Sequence, residues 1–345
     1  MLTPHAVPRE MRPLIAPYRD RARKIALAVS ESGGAAQPRS YVFEITRSRE
    51  LNAIAFSYKD VDGIACHYGL WFTLLAVSHA LFGLPGFFAH VGEPNRDAAA
   101  RSEHRKRLKF LAAVAPAGTL AREFPVPAPS RCRYRYRAAY ALAELALDFV
   151  FFHELAHIHA GHLDFIAASA DERSLVELGA APAHMTLGDR RALEVDADMW
   201  SCSMFTVLQD SEIWGDLDRR EIFQSVSDYL VAWFTGITIV FRLFEMATPH
   251  MSSSRASHPH PAIRQWFASA GLEADASNDG SLDIGLIDPA MTRALYEVDA
   301  VWREARLTST RPYAGVDEEW EQTRAEYLNL LGRLTPRPKR WALSR

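Results

Sequence analysis

One helical segment constrains this chain more than any other, because it places two histidines within a run of apolar residues. Residues 138–160 predict a long helix that ends at Gly161. His153 and His157 lie four residues apart, one turn along the same face, so their imidazoles can converge. Burying such groups among phenylalanine, valine and leucine side chains is costly unless something satisfies them, and a metal ion does so. The segment therefore predicts a metal site.

The residue that follows the first histidine has the chemistry of a general base. Glu154 completes the sequence His-Glu-Leu-Ala-His, and its position turns it toward the open coordination position of a metal held by His153 and His157. From there it is placed to take a proton from a water molecule at the metal. A chance match to this pattern is expected in about a few per cent of such chains, so the pattern needs support from its context.

Two histidines are one ligand short of a catalytic zinc site, which usually has three protein ligands. Glu194 lies in a segment rich in alanine, leucine and valine, and it shares a helical face with Asp198, one turn later. We expect Glu194 to be the third ligand and Asp198 to accept the second ring N–H of a ligand histidine. Asp196 is expected to point elsewhere, and His159 and His162 to be surface or capping residues. The alternative for this segment is an exposed acidic helix start.

Composition indicates an ordinary globular protein. The 345 residues are 48% apolar with a formal net charge of -3, which gives no general attraction to nucleic acid or to an anionic membrane. Cys66, Cys132 and Cys202 lie far apart, so neither a disulfide framework nor a cysteine zinc site is expected. Prolines interrupt the first residues, where a secretion signal would need an apolar run. We therefore expect a cytoplasmic protein.

Three stretches allow more than one interpretation. Arginines alternate with cysteine and tyrosine at 131–137, which is either a nucleic-acid patch or, as we favour, a basic segment leading into the next helix. Residues 64–91 and 229–244 are apolar enough to suggest membrane spans. The first is interrupted by His, Gly and Pro, and the second is shorter than the roughly 20 residues that a span needs. We favour a buried core helix for 229–244 over membrane contact.

The order of the predicted elements indicates an α+β protein that is mainly helical, with a small N-terminal sheet. Strands are predicted at 41–45, 52–58 and 64–67, with a turn at 60–63. Helices are predicted at 19–30, 69–82, 97–114, 138–160, 189–208, 225–247, 289–305 and 317–334. We divide the chain into an N-terminal extension (1–40), a main domain (41–270) and a C-terminal helical extension (271–345).

A third motif follows the two that carry the candidate ligands. Residues 257–264 read Ser-His-Pro-His-Pro-Ala-Ile-Arg, which in isolation is only a Pro-rich loop. In this order, the three motifs resemble the gluzincin pattern of the HtpX and CAAX prenyl protease families, in which the glutamate is the third ligand. The resemblance implies a zincin-like metallopeptidase domain at 41–270, one Zn²⁺ per chain, and a protein or peptide as substrate.

The resemblance also suggests roles for residues outside the metal helix. Asn52 and Ala53 begin a segment similar to the edge strand of such proteases, along which an extended substrate would lie; the alternative is a plain hairpin. His258 is the candidate donor of an N–H to the oxyanion formed during hydrolysis. Arg264 is expected to brace the loop of His258 through Asp198 or another acid.

The HtpX and CAAX families are integral membrane proteins with clear membrane spans. No stretch of this chain is a convincing span, and this separates it from those families. Its architecture looks closer to soluble relatives such as the Lit-like phage-exclusion peptidases, which share a HExxH helix with an apolar lead-in. Three functions follow: a soluble endopeptidase, which we favour; a zincin-fold binding or regulatory module with a structural metal; and a membrane-associated protease. The presence of Glu154 argues against the second, and only residues 229–244 support the third.

Overall fold

The computed structural model describes residues 12–32, 40–58, 61–96, 101–114, 130–168, 185–210, 221–247, 259–304 and 316–333. Helices dominate these residues and a three-stranded sheet lies near the N-terminus, so the predicted, mainly helical α+β class is confirmed. In chain order the elements are α1 (Arg12–Ser32), β1 (Ser40–Thr46), β2 (Ala53–Tyr58), β3 (Val61–His67), α2 (Tyr68–Phe82), α3 (Arg101–Val114), α4 (Arg133–His159), α5 (His162–Ala168), α6 (Leu187–Asp210), α7 (Val226–Ala247), α8 (Pro261–Asp279), α9 (Ile287–Glu304) and α10 (Val316–Leu331).

The sheet packs on α4 and leaves β2 at its edge. The strand order is β1-β3-β2, and β3 pairs in parallel with β1 and antiparallel with β2. Phe43 of β1 packs edge-on against Phe151 of α4, with ring centroids 5.5 Å apart. Strand β3 begins at Val61, within the predicted turn, because Gly63 pairs with Phe56 and leaves room for its ring. A Cβ at Gly63 would lie 2.4 Å from the Phe56 ring.

Helix α4 begins at Arg133 rather than at residue 138. The Arg135 side chain is buried and donates hydrogen bonds of 2.8–3.0 Å to main-chain carbonyl oxygens at and after the end of α2. The accepting residues are Phe82, Leu84, Phe87, Phe88 and Val91. Arg137 donates to Glu221 at 3.0 Å. The alternating arginines therefore lead into a helix, and two of them are engaged by the protein itself.

Helices α6 and α8 pack closely, and this packing brings Arg264 of α8 to the carboxylates of Asp198 and Glu194 on α6. Thr186 caps α6 with Asp189 as its reciprocal partner, since each side chain accepts the other's main-chain N–H at 3.0 and 3.1 Å. Asp189 is thus one half of a capping box. A Cβ at Gly271 would lie 2.7 Å from the Met199 carbonyl oxygen, so glycine permits the close approach. Helix α8 is capped at its C-terminal end by Gly280, whose φ is 66°.

Helix α7 includes the predicted apolar stretch 229–244 and extends beyond it at both ends. Among the described residues, Val226–Met246 is the one segment long and apolar enough to cross a membrane, and 83% of its most apolar window is buried inside the protein. Gly236 lets the helix approach α4, since a Cβ there would lie 3.0 Å from the Ala146 nitrogen. Such burial is typical of a core helix.

The core continues across the predicted domain boundaries near residues 40 and 270. Tyr18 of α1 packs against Phe43 of the sheet and Trp71 of α2, with ring centroids 5.9 and 6.1 Å apart. Arg21 of α1 forms an ion pair of 3.0 Å with the buried Asp148 of α4. Buried side chains of α9, including Val298, belong to the same hydrophobic cluster. The segments named extensions from the sequence therefore help to build the core.

The contact between α6 and α8 gives the first testable prediction. Replacing Gly271 by Ala forces a methyl group against the α6 backbone, so we expect the free energy of unfolding to fall by about 1–3 kcal/mol. Gly86→Ala is the matched control, because a Cβ there meets nothing within 4 Å, and it should change stability by less than about 0.5 kcal/mol. Urea unfolding of both variants measures the difference. Equal stabilities would contradict the predicted close contact.

Candidate active site

Three side chains from two helices converge at a buried point. The Nε2 atoms of His153 and His157 on α4 lie 3.1 Å apart. Glu194 on α6 places Oε2 3.3 Å from the His153 Nε2 and Oε1 3.8 Å from the His157 Nε2. All three residues are buried, and they form the one group in the described part of the chain with the ligand geometry of a metal site.

The separations fit a tetrahedral metal ion. Zinc bonds of about 2.0–2.1 Å at tetrahedral angles place two ligand atoms roughly 3.4 Å apart, close to the observed 3.1, 3.3 and 3.8 Å. Burial lowers the pKa of His153, but hydrogen bonds to Asp198 and Glu194 outweigh it and raise that pKa to about 10. The surroundings of this imidazole therefore favour positive charge, and a divalent cation bound by these side chains would supply it.

Glu154 lies beside this cluster under the edge strand of the sheet. Its carboxylate accepts a hydrogen bond from the Ala55 main-chain N–H of β2. Burial raises the pKa of Glu154 to about 7, with Glu194 adding to the rise, while His153, the Ala55 N–H and Arg264 oppose it. Its Oε2 atom is buried and has no hydrogen-bond partner within the described residues. A buried carboxylate with a pKa near neutrality and an oxygen to spare has the properties of a general base.

Asp198 joins His153 to α8. Its Oδ1 atom lies 2.9 Å from the Nδ1 of His153. Arg264 donates to both oxygens of the same carboxylate, at 2.6 and 2.8 Å, and lies 3.7 Å from the Glu194 Oε2. The guanidinium also stacks over the Phe241 ring, 4.5 Å from its centroid. Arg264 thus contacts Asp198, one of the acids considered for it from the sequence, and reaches a candidate ligand as well.

His157 has a hydrogen-bond partner that was not expected from the sequence. His162 was expected at the surface or at a cap, yet it is fully buried, and its Nδ1 lies 2.8 Å from the Nδ1 of His157. The other ring nitrogen of His162 lies 2.9 Å from Asp196, which was expected to point elsewhere. Tyr327 of α10 donates to the second oxygen of Asp196 at 3.3 Å. The spacing of His162 after a glycine looked like a helix cap, and only packing between helices reveals this contact.

The remaining predicted site residues lie around the sheet edge and the start of α8. Ala53 is the first residue of β2, and its N–H donates to the Asn52 side-chain oxygen at 3.0 Å. His258 lies outside the described residues, so its role stays a prediction. Its neighbour His260 is buried and caps α8, accepting the Ala262 N–H at 3.1 Å.

Tyr41 is a further residue that sequence reasoning did not single out. It lies on β1 directly opposite Asp62 of β3. Its hydroxyl is buried and has no hydrogen-bond partner among the residues that the structure describes. Burial raises the pKa of Tyr41 well above its ordinary value, and the charges of Asp62 and Glu154 raise it further. A protonated phenol near the candidate base can donate a hydrogen bond to a bound molecule.

Fold and site together define a mainly helical α+β protein with a buried His-His-Glu group that could hold a metal, next to a glutamate with a raised pKa. The family model for Peptidase U49 matches residues 96–280, more than half of the chain. The chain belongs to the Peptidase U49 family and is a peptidase. The resemblance to Lit-like peptidases is thereby confirmed, whereas this match does not bear on the resemblance to the HtpX and CAAX gluzincins. No curated protein and no solved structure matches the chain.

The buried pair of Arg264 and Asp198 gives the second prediction. Replacing Arg264 by Leu removes the guanidinium that binds both oxygens of the buried Asp198 carboxylate and leaves the contact with His153, so we expect metal-free protein to lose about 3–5 kcal/mol in its free energy of unfolding. Arg137→Leu breaks a more exposed pair with Glu221 and should cost less than about 1 kcal/mol. Adding Asp198→Asn to Arg264→Leu should cost less than the sum of the single changes. Strict additivity in urea unfolding would contradict the coupling.

Proposed function

We propose that the chain is a zinc-dependent endopeptidase that hydrolyses peptide bonds in proteins, with Glu154 as the general base. The observation that carries this proposal is the convergence of His153, His157 and Glu194 at one buried point beside Glu154. Family membership supports peptide-bond hydrolysis, and the metal and the base are what the proposal adds. Two imidazoles and a carboxylate are a donor set that catalytic zinc binds in other peptidases.

When bound by these three side chains, zinc would polarise the scissile carbonyl and lower the pKa of a water molecule. Glu154 takes the proton of the attacking water on a carboxylate oxygen and later gives it to the leaving amine. The Ala55 N–H holds the carboxylate in place during both transfers. Burial raises the pKa of Glu154 in the metal-free site, which favours uptake of a proton by its carboxylate.

The negative oxygen formed on the substrate needs a hydrogen-bond donor, and two residues are candidates. His258 is proposed from its motif. Tyr41 is proposed from its buried hydroxyl, which has no hydrogen-bond partner among the described residues, and from the influence of Glu154 on its pKa. Because burial raises the pKa of Tyr41 well above its ordinary value, the phenol keeps its proton at neutral pH and stays a donor.

We further propose that an extended substrate segment lies along β2, beginning near Asn52 and Ala53. Strand β2 is an edge of the sheet, and its Ala55 N–H points to Glu154 rather than to a neighbouring strand. A peptide that pairs with such an edge brings its scissile bond close to the base. The side chain of Asn52 accepts the Ala53 N–H, so this hydrogen bond would exchange for one to the substrate.

The proposed setting is the cytoplasm, with one or a few protein targets. A role in phage exclusion rests on membership of the Lit-like family alone. Among the competing functions, a binding module with a structural metal has no use for a buried base, and the free Oε2 of Glu154 therefore favours catalysis. The burial of α7 inside the protein favours a core helix over a membrane span, and it therefore weakens the case for a membrane-associated protease.

The third prediction separates metal binding from proton transfer. Glu154→Gln should keep about one zinc per chain and lose cleavage, because the amide cannot take the proton. His157→Ala and Glu194→Ala should lose the zinc, since each removes a ligand. Metal analysis of purified protein gives the zinc content and the identity of the metal. Cleavage is measured as new protein N-termini in a lysate treated with each variant.

Glu144→Gln is the matched control, because Glu144 lies on the same helix and pairs with Arg21 at 3.7 Å, outside the metal cluster. It should keep both zinc and cleavage. Full cleavage by Glu154→Gln would exclude Glu154 as the base. A wild-type protein that binds no divalent metal, yet still cleaves, would exclude the metal mechanism altogether.

The fourth prediction tests Tyr41 as the oxyanion donor. Tyr41→Phe removes only the hydroxyl, so zinc content should stay unchanged while kcat falls about 100-fold or more. The substrate is one identified by the comparison of N-termini. Tyr296→Phe, which alters an exposed tyrosine on α9, should have unchanged kcat. An unchanged kcat for Tyr41→Phe would remove Tyr41 from the mechanism and leave His258 as the candidate.

A further inference from the structure

The two ligand histidines are held by carboxylates in different ways. Asp198 accepts from His153 directly, at 2.9 Å. On its Nδ1 side, His157 is joined to the Asp196 carboxylate through a second imidazole, because His162 lies between them, at 2.8 and 2.9 Å respectively. His162 follows Gly161, whose φ of 76° turns the chain back from α4 into α5. This turn places His162 against the ring edge of His157 that faces away from the metal cluster.

The hydrogen-bond partners determine which ring nitrogens carry protons. The Nε2 of His162 faces the Asp196 carboxylate and therefore donates to it, which leaves the Nδ1 of a neutral His162 as an acceptor. The Nδ1 of His157 is then the donor in the contact between the two rings. With its proton on Nδ1, His157 directs the lone pair of its Nε2 toward the candidate metal site that it forms with His153 and Glu194. The chain of contacts thus selects the tautomer that a metal ligand needs.

The last residue in this series of hydrogen bonds is Tyr327. It lies on α10, outside the residues matched by the family model. Tyr327 donates to the Asp196 oxygen that His162 does not use. Two further contacts hold α10 and the turn after it to α6: Arg191 pairs with Glu326 at 2.8 Å, and Arg333 contacts Asp189. Helix α10 therefore contacts the candidate metal site through Asp196 and His162, on the side away from the candidate ligand atoms. It belongs to the segment that the sequence analysis described as an extension.

We propose that His162 is a positioning residue for the ligand His157, and that Asp196 and Tyr327 hold His162 in the orientation that presents the His157 Nε2 to the metal. The inference rests on the proposed metal site. It adds three residues to that site, none of which is among the three candidate ligands. All three are needed for ordered binding of the second ligand, and one of them is supplied by the C-terminal helix.

Zinc affinity of the full-length protein tests the proposal without any substrate. Competition against a chromophoric chelator at fixed pH should show that His162→Ala weakens zinc binding about 10–100-fold. His162→Asn should recover part of that loss, because the amide oxygen can accept from the Nδ1 of His157. Tyr327→Phe should weaken binding by a smaller factor. The visible spectrum of bound cobalt(II) should shift in His162→Ala, since the geometry of His157 changes.

His159→Ala is the matched control, a neighbouring histidine on the same helix that is not among the three metal ligands, and it should bind zinc like the wild type. Urea unfolding of each metal-free variant separates loss of fold from loss of affinity. If His162→Ala does not fold, His162→Asn and Tyr327→Phe decide, and wild-type affinity in both overturns the proposal. Wild-type affinity in a folded His162→Ala also overturns it. A wild type that binds no metal overturns the proposed function instead.

Discussion

The structure depends on one electrostatic constraint: polar groups that meet inside an apolar helix bundle must each find a partner. His153, His157 and Glu194 are buried within a few ångströms of one another. Without compensation, such a cluster would cost several kcal/mol per group. Neighbouring side chains reduce this cost, because Asp198 of α6 accepts from His153, and Arg264 of α8 pairs with Asp198 and lies 3.7 Å from Glu194. The three side chains have the geometry of a group that could hold a metal ion, and a cation there would balance their charge.

These contributions arrive through close packing, so the site is as much a property of helix crossings as of the HExxH motif. Gly271 lets α8 approach α6, and the same helix carries Arg264 to Asp198. Gly236 likewise permits a close approach between α7 and α4. Family similarity covers 96–280 and includes α4, α6 and α8. The N–H that binds Glu154 and the hydroxyl of Tyr327 come from residues on either side of that match, so the functional unit extends beyond it.

Asp198 and Glu154, the two carboxylates next to the candidate ligands, have different environments. Asp198 is shared between His153 and Arg264, and its charge is compensated on both sides. Glu154 has the Ala55 N–H and a distant guanidinium, and its pKa rises to about 7 because burial dominates. A carboxylate paired on both sides stays ionised, whereas burial without such pairing raises the pKa of a carboxyl group. These environments agree with the proposed roles of Asp198 in orienting His153 and of Glu154 in proton transfer.

Local sequence patterns determined the mainly helical class, the three strands, and the three side chains that meet at the candidate metal site. Spacing along one helix fixes the angle between side chains, so His153 and His157 were predictable, and Glu194 with Asp198 followed from the same rule. Only tertiary structure decided which groups lie opposite those faces. His162 and Asp196 looked unimportant because their partners come from another helix, and Tyr327 and Tyr41 carry no motif. Contacts between distant segments depend on how helices and strands cross, and a spacing rule along one element contains no information about that crossing.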